Sequence, residues 1–407
     1  MELNKIIKFY APLYGMTILA AILPFLIVPY VVRTLSVENF GIYNLAHVTA
    51  YFILPVITLG MQTGARLTLS NINENINNNY YSIISSALSL TLALSIVVFF
   101  ILWIFGDHLY QGVFNLSDIF CIVYLSFCIS IISFLNVFYE IKNWFLIRAL
   151  ITLLSTTLIY AAIYFFIEFG PMIRIYIQII VFSLIAFTCF YLMRFRIITP
   201  KIIIIKKLVK IGLPLTAISL FELLVMNIDK IIILRYLTKY DLGIYTGYFY
   251  FFTLVAFGAK PLSPIIETFY YQKNLIYKKI LKLLILVLIL ILIILIFFNK
   301  SIANIIFGED FLNQSHLMIF FFFLGITKVI VDFYKIKLVA VNKQYLAAKI
   351  NGLIFTFGIV SMFIIISVYK DLVHLILIMI IINLLSIISS HLILNKTTYV
   401  TRNKTVN

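Results

Sequence analysis

Apolar runs of about twenty residues, the length a helix needs to cross the hydrocarbon core of a bilayer, follow one another along the chain. Twelve can be marked: 10–32, 41–63, 83–105, 118–139, 145–167, 172–193, 211–234, 242–264, 281–298, 315–334, 348–369 and 372–394. Of the 407 residues, 63% are apolar and only 11% charged, with a mean hydropathy of +1.12. A soluble domain carries roughly 25% charged residues. This chain has too few polar residues to cover a core facing water. Lipid removes that conflict, and helices satisfy their own backbone groups there. The expected fold is an all-α polytopic membrane protein of about twelve transmembrane helices.

The net charge is +16, from 31 Lys+Arg against 15 Asp+Glu. No dense Lys/Arg tract carries interleaved aromatics, so nucleic acid is not an expected partner. The basic residues sit in short segments between the apolar runs, as topology-setting charges do. With both termini on one side, 22 of the 31 cations fall on that side. Six fall on the other, namely Arg33, Arg174, Arg235, Lys239, Lys300 and Lys370, and Lys230, Lys260 and Lys328 lie within spans. That bias predicts cytoplasmic termini. Lys5 and Lys8 precede a long apolar stretch with no small-residue cleavage site, so the first helix is expected to be retained. Cys121, Cys128 and Cys189 lie inside apolar runs without CxxC spacing, and no HExxH motif occurs. Neither a disulfide, a metal nor a cofactor is expected.

An internal repeat constrains the architecture further. Segment 5–43 aligns without a gap on 207–245, at an offset of 202. The identical pairs are Lys5/Lys207, Lys8/Lys210, Pro12/Pro214, Leu13/Leu215, Arg33/Arg235, Leu35/Leu237, Gly41/Gly243, Ile42/Ile244 and Tyr43/Tyr245. Nine of 39 positions match, where composition alone gives roughly three or four. Six expected spans lie in each half, so the halves are like-oriented bundles with a route between them. The expected division is a six-helix bundle at 1–193, a basic cytoplasmic linker at 194–210 and a second bundle with a short tail at 211–407.

The segment Arg33-Thr-Leu-Ser-Val-Glu-Asn-Phe-Gly-Ile-Tyr43 resembles the polysaccharide-biosynthesis exporters, the O-antigen and capsule repeat-unit flippases of bacteria. Its echo, Asn227-Ile-Asp-Lys-Ile-Ile-Ile-Leu-Arg235 followed by Asp241-Leu-Gly-Ile-Tyr245, is similar to the second-half signature of the same family. The resemblance implies a two-bundle fold of the multidrug/oligosaccharidyl-lipid/polysaccharide superfamily in a bacterial inner membrane. The implied activity is flipping of an undecaprenyl-diphosphate-linked oligosaccharide to the periplasmic face. Its partners would be that lipid-linked oligosaccharide, membrane lipids and other polysaccharide-assembly proteins.

Charges inside spans are costly and tend to face a cavity or a partner. The seventh span carries Glu222, Asp229 and Lys230, the two acids seven residues apart and so on one face. They read either as a polar stripe with a proton or cation site, or as a pair that neutralises itself near a helix end. In the resembling family an acid followed by a base is common at the Asp229-Lys230 position. Lys328 and Asp332, four apart, can pair on one face or open to an anion or cation. Lys260, between Gly258 and Pro261, and Arg66 and Arg148 at inner span ends can meet an anionic headgroup or simply set orientation. Tyr30, Tyr43, Tyr80, Tyr81, Tyr245 and Tyr248 sit near span ends and suit an interfacial belt. Pro12, Pro24, Pro29 and Pro214 offer bends in the paired first and seventh spans.

Two other functions fit a chain of this kind. A cation-coupled drug antiporter needs a cavity dominated by carboxylates, whereas acids and lysines are mixed here. A membrane polymerase or glycosyltransferase needs a catalytic cluster outside the membrane. The longest outer segment, about 106–117, offers only Asp107 and His108. The chain is therefore not expected to be an enzyme.

Overall fold

The computed structural model describes residues 3–70, 76–142, 144–192, 198–259, 276–340 and 343–404. The described residues form no strand. The first elements are α1 (Leu3–Thr34), α2 (Val37–Thr58), α3 (Met61–Ser70), α4 (Ile76–Tyr110), α5 (Leu116–Ile141), α6 (Phe145–Phe166), η1 (Ile167–Phe169) and α7 (Ile173–Leu192). They are followed by α8 (Ile202–Tyr236), α9 (Lys239–Ala259), α10 (Ile276–Phe307), η2 (Glu309–Gln314), α11 (Leu317–Ala340), α12 (Gln344–Tyr369) and α13 (Leu372–Lys404). All helices but α3 among the described α-helices have 20 residues or more, one for each expected span. Nine of them are long and apolar enough to cross a membrane, and α1 adds the shorter apolar stretch Ile22–Thr34. The protein is a multi-pass helical membrane protein.

The repeat is visible to the residue. Shifting the end of α1 and the start of α2 by 202 gives Tyr236 and Lys239, the end of α8 and the start of α9. Both second helices open on a hydroxyl cap. Ser36 Oγ accepts from Asn39 N at 3.3 Å. Thr238 and Asp241 close a reciprocal cap, each backbone N–H donating to the other's side chain at 3.1 Å.

The chain packs as two compact units, Met1–Asn227 and Ile228–Asn407, whose boundary falls within α8. In the first, α2 packs on α4 and α5, α5 on α7, and α6 on α1 and α7. In the second, α9 packs on α11, α11 on α10 and α13, and α12 on α13. Packing of α9 on α11, α11 on α10 and α13, and α12 on α13 repeats that of α2 on α5, α5 on α4 and α7, and α6 on α7. The outer faces are apolar: Leu283, Leu286, Leu290, Ile294 and Phe297 of α10 are exposed, as lipid contact requires.

One expected span divides in two. The second span was expected at 41–63, but α2 ends where Leu59 and Gly60 take left-handed backbone (φ 45° and 68°), and α3 starts at Met61. Leu59 N closes α2 on Pro55 O at 3.0 Å. The start of α8 lies against this junction. A Cβ on Gly64 would meet the Leu208 carbonyl oxygen at 2.6 Å, and one on Gly212 would meet the Gly60 backbone. Only glycine allows the two backbones to approach this closely.

The tyrosine belt also needs correction. Tyr43, Tyr80, Tyr245 and Tyr248 are buried, with no interfacial face. Their hydroxyls reach distant partners: Tyr80 donates to Phe134 O at 3.4 Å and Tyr248 to Phe311 O. These rings anchor one helix to another.

Candidate functional site

Asp229 and Lys230 lie on α8 and are both fully buried in the second unit. Lys230 Nζ is 3.2 Å from Asp229 Oδ1 and 3.4 Å from Oδ2. Tyr245, on α9, donates its hydroxyl hydrogen bond to the same carboxylate. The ammonium also stands over the Phe249 ring, 3.9 Å from its centroid. Two opposite charges, a phenol and an aromatic face thus meet in one buried cluster. Burying an ion costs several kcal/mol unless its partner and hydrogen bonds are all in place.

The first unit holds a counterpart that was not legible in the sequence. Arg174, near the start of α7 and expected as an outer orientation charge, is buried. Its guanidinium lies 5.0 Å from the centre of the Tyr43 ring. Its Nη2 is 3.0 Å from His47 Nε2 and 3.4 Å from the Tyr160 hydroxyl. Tyr43 and His47 are the equivalents, at the offset of 202, of Tyr245 and Phe249. The intramembrane charges marked Asp229 and Lys230 in the sequence, whereas the first-unit cluster had only the repeated Gly-Ile-Tyr as its signal.

On α11, Lys328 Nζ meets Asp332 Oδ1 at 2.5 Å, the pairing its spacing allows, and Lys335 joins the same oxygen at 3.5 Å. Arg66 and Arg148 are brought together instead of standing separately. Arg66 Nε is 2.7 Å from Glu140 Oε2, and Arg148 Nη1 pairs with Oε1. Glu140, at the end of α5, did not figure among the expected site residues. It is the only acid between Asp118 and Glu168, which is the signal that marks it. The Glu222 side chain and all of Lys260 lie outside the described residues. Hence the face expected to be shared by Glu222 and Asp229 is represented by Asp229 alone. No group of three His, Cys, Asp or Glu able to hold a metal occurs among the described residues.

The fold is that of known transporters. A lipid II flippase MurJ in an inward closed conformation matches with a TM-score of 0.74 and 17% identity, over 96% of this chain and 87% of that one. An inward-facing multidrug resistance MATE family transporter of the MOP superfamily matches at 0.59 and 12% identity, over 94% and 99%. A MOP superfamily transporter from Pyrococcus furiosus, described as having a binding pocket of reverse polarity, matches at 0.56 and 13%, over 94% of each chain. No curated protein matches the sequence. Residues 10–263, more than half of the chain, match the family described as "Polysaccharide biosynthesis protein", and the chain belongs to that family.

Proposed function

We propose that this protein is a flippase that carries an undecaprenyl-diphosphate-linked oligosaccharide repeat unit from the cytoplasmic to the periplasmic leaflet of a bacterial inner membrane. The observation that carries the reading is membership of a polysaccharide-biosynthesis family on a duplicated, helix-only membrane fold. Sugar hydroxyls pay heavily for entering hydrocarbon without hydrogen-bond partners. A hydrated route between two like bundles, 1–193 and 211–407 joined through 194–210, shields them, and rocking of the bundles moves the glycan. The prenyl tail stays in lipid. Both termini are cytoplasmic in this reading. Glu222, Asp229, Lys230, Lys260, Lys328, Asp332, Arg66 and Arg148 are its candidates for the path or for ion coupling.

A cation-coupled antiporter of the same superfamily is the second reading. One observation disfavours it. Asp229, Asp332 and Glu140 are each matched or outnumbered by cations at contact distance, which leaves little room for a cationic substrate there.

Deleting the gene and analysing undecaprenyl-linked sugars separates the functions. A flippase leaves a complete, unexported repeat unit in the cytoplasmic leaflet. Export of single units that are never joined into chains identifies a polymerase and overturns the reading.

A further inference from the structure

The cluster at the end of α5 is built differently from the buried pairs. Two arginines from separate helices, Arg66 of α3 and Arg148 of α6, share one carboxylate and take one oxygen each. Glu140 is sheltered at 15% side-chain exposure, whereas Arg66 and Arg148 stay open at 51% and 40%. One carboxylate between two guanidiniums leaves a net charge of +1. Exposed ion pairs add little stability, so holding helices together is a weak account of two open arginines. Guanidinium forks fit paired oxygens, and carboxylate and phosphate present such pairs alike. The start of α6 adds to the site. Trp144 provides no side-chain cap, so the positive end of the helix lies one turn from Arg148. The Trp144 ring itself is 45% exposed, stacked toward Tyr139 with centroids 6.4 Å apart. It is a part-exposed aromatic ring one turn before Arg148 in the sequence.

We propose that Arg66 and Arg148 form a phosphate-binding pair in which Glu140 is the internal stand-in for the ligand. The ligand is the diphosphate of a prenyl-linked sugar, with the first sugar against Trp144. The choice of ligand rests on the flippase reading. The phosphate displaces Glu140 from the two forks and takes both, and Glu140 re-forms the pairs when the ligand leaves. In the orientation expected from the charge bias of the sequence, this end of the bundle faces the cytoplasm, where such a lipid is made.

The test uses the full-length protein in phosphatidylcholine nanodiscs, with undecaprenyl diphosphate as the probe and phosphatidylglycerol as competitor. Replacing both arginines, Arg66→Gln with Arg148→Gln, is expected to weaken binding at least tenfold. Glu140→Gln is expected to tighten it several-fold, because the internal competitor has lost its charge. An ion pair that served only to hold α5 to its neighbours would leave Glu140→Gln no better than wild type, and that result overturns the proposal even if the double variant fails to fold. Displacement of the probe by an equal amount of phosphatidylglycerol would assign the pair to bulk anionic lipid and overturn the prenyl ligand. Failure of the flippase reading shows elsewhere, as no lipid-linked sugar accumulating on gene deletion while nanodisc binding persists.

Discussion

Both units set a cation against the tyrosine of a repeated Gly-Ile-Tyr, but they bring it from different places. In the second, Lys230 comes from α8 together with its own counter-ion, Asp229. In the first, the equivalent positions are Val28 and Ile27, and the cation is Arg174 of α7. The receptor is shared: Tyr43 with His47, and Tyr245 with Phe249, one helical turn apart on α2 and α9. The aromatic seat has stayed in place while the charge has moved. The seat is therefore common to both units, and the ion pair on α8 is one of two ways to fill it.

The first unit is then a natural control for the second. Lys230→Met alone leaves Asp229 buried without its cation and should cost about 3–5 kcal/mol of stability. Thermal unfolding in detergent measures this. Replacing both residues by their first-half equivalents, Asp229→Ile with Lys230→Val, should recover most of the loss. Should the double variant remain as unstable as the single one, the two seats are not equivalent. If it is stable but no longer exports glycan, the pair belongs to the transport path.

A smaller effect is expected in the first unit. Arg174→Met removes a desolvated cation–π contact and two polar contacts, at a cost of about 2 kcal/mol in the same unfolding measurement. Arg174→Lys keeps the charge but loses the planar fork, and should fall between wild type and Arg174→Met. A loss as large as that of Lys230→Met would mean that the two cations are held equally tightly.

The caps make the finest comparison. Thr238 exchanges two backbone hydrogen bonds with Asp241, whereas Ser36 accepts one from Asn39. Thr238→Ala should cost about 1 kcal/mol and Ser36→Ala about half that, by unfolding under identical conditions. Equal costs would show that the bond from the Thr238 hydroxyl to Asp241 Oδ2, lost together with the cap, adds nothing.

Much of the fold was legible because hydrophobic length and a half-chain repeat are written locally. The ends of α1 and α8 follow the offset of 202 to the residue. The pairing of Lys328 with Asp332 was legible too, since four residues make one turn. What stayed hidden is what joins distant segments. Arg174 meets His47 across 127 residues, and nothing near either one announces it. Arg66 and Arg148 looked like orientation charges because a basic residue at an inner span end has the same sequence environment whether or not a carboxylate waits nearby. The tyrosines misled for a related reason. A ring near a span end suits the lipid interface, and only packing reveals that Tyr80 and Tyr248 spend their hydroxyls on carbonyls of other elements. The break at Leu59–Gly60 was obscured by the apolar run that continues through it.

The different origins of the two cations have a consequence for biosynthesis. Asp229 and Lys230 are neighbours in sequence, so they leave the ribosome together and can enter the bilayer already neutralised, before α9 has been made. Arg174 has no acidic neighbour beside it in the sequence and enters its buried seat from the start of α7. Yet Tyr43, His47 and Tyr160 all precede it in the chain. The nascent first unit thus has its receptor waiting when α7 arrives, and the order of synthesis does for Arg174 what adjacency does for Lys230.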